Sequence, residues 1–153
     1  GMGGVATVGQ VFCEPGQANV IPGLVRFSVD VRHSDEVRLE AMVAAVAHLA
    51  EGISKTRDLR CHIEVKAEAE PVRMTQEICD LIEKIAREKG VEPVRMASGA
   101  GHDTGIIAKI SDAGVIFLPS QGGRSHCGEE FTKVEDIALG AEILLDTVLE
   151  LAR

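Results

Sequence analysis

The chain has 153 residues, 45% of them hydrophobic and 26% charged, which is the length of one ordinary domain or two small ones and the balance of a folded chain. A formal net charge of −8 argues against broad binding to a phosphate backbone. Aromatic residues make up only 3%, with no Trp and no Tyr, so the core must be aliphatic and base-stacking on single-stranded nucleic acid is disfavoured.

Residues 5–12 are rich in β-branched side chains and read as a strand. Residues 13–23 form a loop punctuated by Pro15, Gly16, Pro22 and Gly23. Residues 24–32 alternate strictly. Val25, Phe27, Val29 and Val31 point one way, and Arg26, Ser28, Asp30 and Arg32 the other, as in a half-buried antiparallel strand. A helix is expected over residues 35–51, with Leu39, Met42, Val43, Val46, Leu49 and Ile53 on one stripe and Gly52 as terminator. Residues 60–66 alternate again, with Cys61, Ile63 and Val65 inward. The order β-β-α-β is an incomplete ferredoxin-like unit, an antiparallel sheet with one helix on one face.

The polar stretch around Pro71 marks a boundary, dividing the chain into residues 1–70 and 71–153. A helix over residues 76–89 follows, with Ile78, Leu81, Ile82 and Ile85 inward and Gly90 at its end. A short strand at 94–96 leads into the loop Ser98-Gly99-Ala100-Gly101-His102-Asp103, and a helix runs from about 103 to 110. Residues 115–118 are wholly apolar and bounded by Gly114 and Pro119, which suits a strand buried on both faces. A polar loop holding His126 follows. Thr132 and Glu135 fit a capping box, opening a helix over 133–152 with Ile137, Ala138, Ala141, Leu144, Leu145, Val148 and Leu151 as its stripe. The second part thus reads α-β-α-β-α, a layered α/β piece.

No apolar run approaches the length of a membrane span. The first residues lack a basic leader, and Met2 reads as the natural start. Cys13, Cys61, Cys79 and Cys127 are scattered, with no C-x-x-C pair, which reads as reduced thiols in a cytoplasmic protein. The first three are expected to be structural, and Cys127, beside His126, more reactive.

Four places carry candidate chemistry. Asn19 lies in the proline- and glycine-punctuated loop, where it could equally stabilise its own turn. Arg32 lies on the polar strand face, where it could equally be a solvated residue paired with Asp30 or Asp35. Gly101-His102-Asp103 opens a helix whose N–H groups could cradle an anion, although Asp103 could simply cap it. His126 lies at the mouth of the apolar segment 115–118, where α/β proteins usually place ligands. His33, His48 and His62 read as ordinary surface histidines.

The strings N-V-I-P-G, D-V-R-H, S-G-A-G-H-D and P-S-Q-G-G-R-S-H-C-G-E-E occur in this order and carry a resemblance that extends over nearly the whole chain. Together they resemble the C-terminal part of the N-carbamoyl-L-amino-acid hydrolases, allantoate amidohydrolases and β-ureidopropionases, within the dinuclear-zinc aminoacylase and carboxypeptidase superfamily. The resemblance implies a partial lid and dimerisation domain over 1–70, then the C-terminal α/β part of a zinc-peptidase-like catalytic domain over 71–153. It implies that His126 is a metal ligand and that His102 acts at the developing oxyanion. Gly101 would offer its backbone to the substrate, and Asn19 and Arg32 would hold the substrate carboxylate. It implies zinc, or manganese, cobalt or nickel, in the full enzyme, an N-carbamoyl or ureido amino acid as substrate, and a homodimer. The family's H-I-E-Q-G motif and its catalytic Glu–Glu pair are not found here, and Glu129-Glu130 follows the histidine, so it is not that pair. The expectation is a fragment, inactive alone, or one piece of a split enzyme with an upstream partner chain. Non-catalytic dimer and aminoacylase or peptidase specificity are the alternatives.

Overall fold

A computed structural model describes residues 3–153. The elements are β1 (Val5–Glu14), β2 (Leu24–Arg32), α1 (Glu36–Thr56), α2 (Gln76–Glu88), α3 (Asp103–Ile107) and α4 (Val134–Leu151), with a 3-10 turn at Gln121–Gly123. This is the mixed α/β architecture expected from the sequence. The chain divides into two compact units. One runs to Pro71 and takes in Met96–Ala100; the other is Val72–Arg95 with Gly101–Arg153.

In the first unit, β1 and β2 pair antiparallel, with Val5 opposite Arg32, Thr7 opposite Asp30 and Val8 opposite Val29. The register slips between Val8 and Gln10, which marks a bulge at Gly9. The bulge has a consequence for side-chain direction. Without it, Val8 and Val11 would fall on opposite faces; with it, Ala6, Val8, Val11 and Cys13 share the face of Val31, Val29, Phe27 and Val25. Val5, Thr7, Asp30 and Arg32 share the other face.

Helix α1 lies against β2. Asp35 is its N-cap, accepting the Arg38 N–H at 3.0 Å, and the Asp35 N–H itself donates to His33 Nδ1 at 2.8 Å. Leu39, Met42 and Val46 are half-buried, as are Val29 and Val31 of β2, but Val43, Leu49 and Ile53 of the expected stripe are exposed. Gly52 does not end the helix, which continues to Thr56. One interior glycine costs a helix only about 0.5–1 kcal/mol, too little to stop it where good helix formers follow.

Residues 60–66 are not a strand, and Ile63 and Val65 are exposed. Alternation decides which side chains share a face, but a strand exists only where a neighbour takes its ladder bonds. Among the described residues the one sheet is the β1–β2 pair. The same holds for the expected strands at 94–96 and 115–118, which have no ladder. Cys13 and Cys61, expected to be structural, are exposed, and Cys79 is half-buried.

In the second unit, α2 packs on α4 around Ile85, Ala86 and Ile143, with Leu81, Ile82, Val91, Ile116 and Leu139 surrounding them. Lys89 links the helices, its Nζ lying 2.7 Å from Asp146 and 3.5 Å from Glu142. Thr75 staples the start of α2 to the approach to residues 115–118. Its N–H donates to Ala113 O at 2.8 Å, and its hydroxyl accepts the Ala113 N–H at 3.0 Å. Gly114 lies against Ile78 and Ile82, and Gly140 of α4 against Leu118, where a Cβ would require those side chains to shift.

Three expectations fail here. Helix α3 stops at Ile107 rather than 110. The capping box at Thr132 does not form, because Lys133 is the N-cap residue and no side chain caps it. The face of α4 that packs is Gly140, Ile143 and Thr147, while Ile137, Ala138, Ala141, Leu144, Leu145, Val148 and Leu151 are exposed. Both faces of α4 are apolar enough to be buried, so periodicity alone cannot choose between them. The small Gly140 lets one face approach Leu118 closely, and Thr147 satisfies its hydroxyl internally, donating to Ile143 O at 2.7 Å.

Candidate functional site

Arg32 ends β2 on the polar face. Its Nε and Nη2 donate to Asp30 Oδ1 and Oδ2 at 2.6 and 2.8 Å, a side-on bidentate pair between residues two apart on one strand face. Its Nη1 donates to Gly99 O at 2.6 Å. These three bonds leave one further N–H on each terminal nitrogen of the guanidinium. Val5, Thr7, Asp30, Arg32 and Gly99 line a cavity of about 390 Å³. Asn19 is not among its walls; it lies in the loop beyond the other end of β2, inside the turn that the Val20 N–H closes on Gln17 O at 3.2 Å. Of the sequence alternatives for Arg32, the ion pair with Asp30 is the one formed, and Asp35 is used as a helix cap instead.

The Arg32 hydrogen bonds, with the attraction of its charge, hold the Asp30 carboxyl below its ordinary value, against the opposing effect of burial. The same pair raises the Arg32 guanidinium. Because the folded value lies below the unfolded one, of about 3.9, the pair's contribution is complete above that pH and is lost as pH falls through the folded value. The link from Arg32 to Gly99 is therefore expected to persist from about pH 5 upward and to loosen only below about pH 4. An NMR titration of the Asp30 carboxyl and the Gly99 carbonyl checks this; a midpoint above the ordinary Asp value contradicts it.

The Ser98–Ala100 turn is held by the Ala100 N–H on Ser98 Oγ at 3.1 Å. Gly101 follows, exposed, with open space where a Cβ would stand. His102 is the N-cap residue of the five-residue α3. Its ring packs against Phe117, with centroids 5.2 Å apart and planes tilted by 57°. Phe117 thus joins His102 to the apolar segment, a contact the sequence reading did not foresee, because the partners are fifteen residues apart and no periodicity links them.

His126 lies on a pinned loop. The Gln121 N–H donates to Phe131 O at 2.8 Å and closes its base. Gly122 and Gly123 adopt φ of 66° and 67°, and Ser120 Oγ donates to Arg124 O. His126 itself has φ of 57°, a left-handed conformation that costs a side-chain-bearing residue. Its N–H donates to Glu130 Oε2 at 2.7 Å, and the Glu130 N–H donates to Cys127 O at 3.1 Å. His126 and Cys127 are both exposed.

Among the described residues no group of three or more His, Cys, Asp or Glu side chains is arranged to hold a metal ion. A catalytic zinc takes about three protein ligands, so the imidazole of His126 does not by itself make a fitting centre. No helix among the described residues is long and apolar enough to cross a membrane.

The fold is that of amidases of the hydantoinase/carbamoylase family. The solved amidase of that family from Burkholderia multivorans superposes with a TM-score of 0.90 at 33% identity, over 96% of this chain and 36% of that one. The chain belongs to Peptidase family M20/M25/M40, whose profile matches residues 2–150. It is 36% identical over 146 residues to the allantoate amidohydrolase of Bacillus subtilis, covering 95% of this chain and 35% of that protein. It is 38% identical over 149 residues to the N-carbamoyl-L-amino acid amidohydrolase of Geobacillus stearothermophilus, covering 97% of this chain and 36% of that one. The chain therefore spans about a third of the length of these relatives. The family is generally metal-dependent.

Proposed function

We propose that this chain supplies the carboxyl-terminal third of a cytoplasmic, metal-dependent amidohydrolase that cleaves a C–N bond of N-carbamoyl or ureido amino acids such as N-carbamoyl-L-amino acids or allantoate. The observation that carries the reading is the match of amidohydrolases of this type along 95–97% of the chain. In this reading Arg32 holds the substrate carboxylate through the N–H groups that Asp30 and Gly99 leave over; Asn19, given the same task by the family resemblance, stands at the other end of β2 from it. Gly101 offers its backbone to the substrate, His102 stabilises negative charge on the carbonyl oxygen, and His126 donates one imidazole to a metal centre of zinc, or of manganese, cobalt or nickel, whose other ligands lie outside the described residues. The isolated chain is inactive, because one histidine does not complete that centre.

The test is complementation. The purified chain is assayed on an N-carbamoyl-L-amino acid and on allantoate, alone and mixed with the amino-terminal two thirds of the Geobacillus relative. The expected result is no turnover alone and metal-dependent turnover in the mixture. Turnover by the chain alone, or none in the mixture with either substrate although the two pieces co-purify, contradicts the reading.

A second reading, a non-catalytic homodimer or a subunit awaiting an upstream partner chain, is favoured by the exposed stripe Ile137, Ala141, Leu144, Val148 and Leu151 on α4. Soluble proteins rarely leave such a continuous apolar strip uncovered. Light scattering on the pure chain is expected to give a dimer in this reading, and Leu144→Glu to shift it toward monomer. A monomer at all concentrations rules the dimer out.

A further inference from the structure

We propose that Glu130 is the positioning residue for His126. The inference rests on the reading of His126 as a functional imidazole, and deepens it by assigning what holds that imidazole in place. A histidine at φ of 57° is in a conformation that side-chain-bearing residues seldom adopt unless their surroundings over-determine it. In the same loop two glycines adopt it, Gly122 and Gly123, and three residues on from the second the chain carries a histidine instead. Glycine at 126 would relieve the strain and lose the ring. What compensates is a specific bond, in which the carboxylate Oε2 of Glu130 accepts the His126 N–H at 2.7 Å. A charged acceptor makes this one of the stronger classes of hydrogen bond.

The geometry is reciprocal. The Glu130 N–H donates to Cys127 O at 3.1 Å, so backbone and side chain of one residue grip both sides of the turn that follows His126. The base of the loop is shut independently by the Gln121 N–H on Phe131 O at 2.8 Å. Glu130 is therefore not needed to close the loop, and its side chain acts on the conformation of His126 alone. In the left-handed region the Cα–Cβ bond leaves the backbone in a direction that a helical or extended residue does not use. Fixing φ thus fixes the direction in which the Cα–Cβ bond, and the side chain on it, leaves the loop. Glu130 does this from the backbone side, leaving both ring nitrogens free of it. Glu129, the neighbouring carboxylate, is exposed and has no such described bond.

The experiment compares Glu130→Gln with Glu130→Ala in the full chain, reading hydrogen exchange of the His126 amide by NMR. Glutamine keeps an acceptor oxygen at the same reach, and alanine removes it. Exchange at the His126 amide is expected to quicken by at least about tenfold in Glu130→Ala, the loss of one charge-assisted bond, and to stay within about threefold in Glu130→Gln. The buried Ile143 amide serves as internal reference and is expected to be unchanged in both, which separates loosening of the loop from general unfolding. Unchanged exchange in Glu130→Ala overturns the proposal, and so does Glu130→Gln behaving like Glu130→Ala. The readout needs neither metal nor turnover. Failure of the complementation assay above therefore counts against the amidohydrolase reading and leaves this result standing.

Discussion

Gly140→Ala is expected to destabilise the chain by about 1–3 kcal/mol, the usual cost of forcing an extra carbon into a packed contact. The sign runs against helix propensity, since alanine is favoured over glycine by about 1 kcal/mol in a helix interior. Packing wins because a Cβ on Gly140 would overlap Leu118 Cδ2 and crowd Cδ1 and Cγ at 3.2 and 3.3 Å. Leu118 is 38% exposed, so a turn of its side chain toward solvent sets the lower end of this range. The control is Gly52→Ala in α1, where a Cβ meets nothing within 4 Å. That substitution is expected to stabilise by about 0.5–1 kcal/mol. Urea denaturation of both variants decides the matter. Adding Leu118→Ala to Gly140→Ala tests the mechanism, because the two changes should be less than additive if the clash is the cause. Equal effects of the two glycine replacements would show that helix propensity, not contact with Leu118, sets the outcome.

In the reconstituted mixture, His126→Ala is expected to lower turnover by more than about 100-fold, since losing merely an outer partner of a metal ligand typically costs 10–100-fold. The same substitution is expected to leave the folding of the chain intact, because His126 is exposed and its side chain makes no described packing contact. A matched measurement of bound metal in the mixture separates the causes. Loss of metal with turnover fits a ligand role, whereas full metal with no turnover assigns the imidazole another task. His126→Gly sharpens the comparison. It removes the ring and also the cost of a positive φ, so it is expected to be at least as stable as wild type while equally inactive. A residue whose removal helps stability and harms turnover is one kept for its chemistry.

The sequence alone determined the class of fold, the helices and the strand pair. The β2 alternation of Val29 and Val31 against Asp30 and Arg32 carries its own facing, and the capping Asp35 and the positive-φ Gly90 mark helix ends from local chemistry. The candidate residues were also legible, because the motif strings carry Asn19, Arg32, Gly101, His102 and His126 without reference to any contact. What holds several of them was not. The D-x-R spacing admitted the Asp30–Arg32 pair, but nothing local pointed to Gly99 O, sixty-seven residues away, as the third anchor of the guanidinium. The strained His126 and its Glu130 acceptor depend on a turn whose dihedral angles no periodicity encodes.

Tertiary structure decided the rest, for two physical reasons. A strand is a relation between two segments, so residues 60–66 and 115–118, with the right pattern and no partner ladder, are not strands. A helix apolar on both sides has no preferred inner face until something packs on it. In α4 the face that packs is Gly140, Ile143 and Thr147, with Gly140 close against Leu118, while the longer aliphatic stripe is exposed.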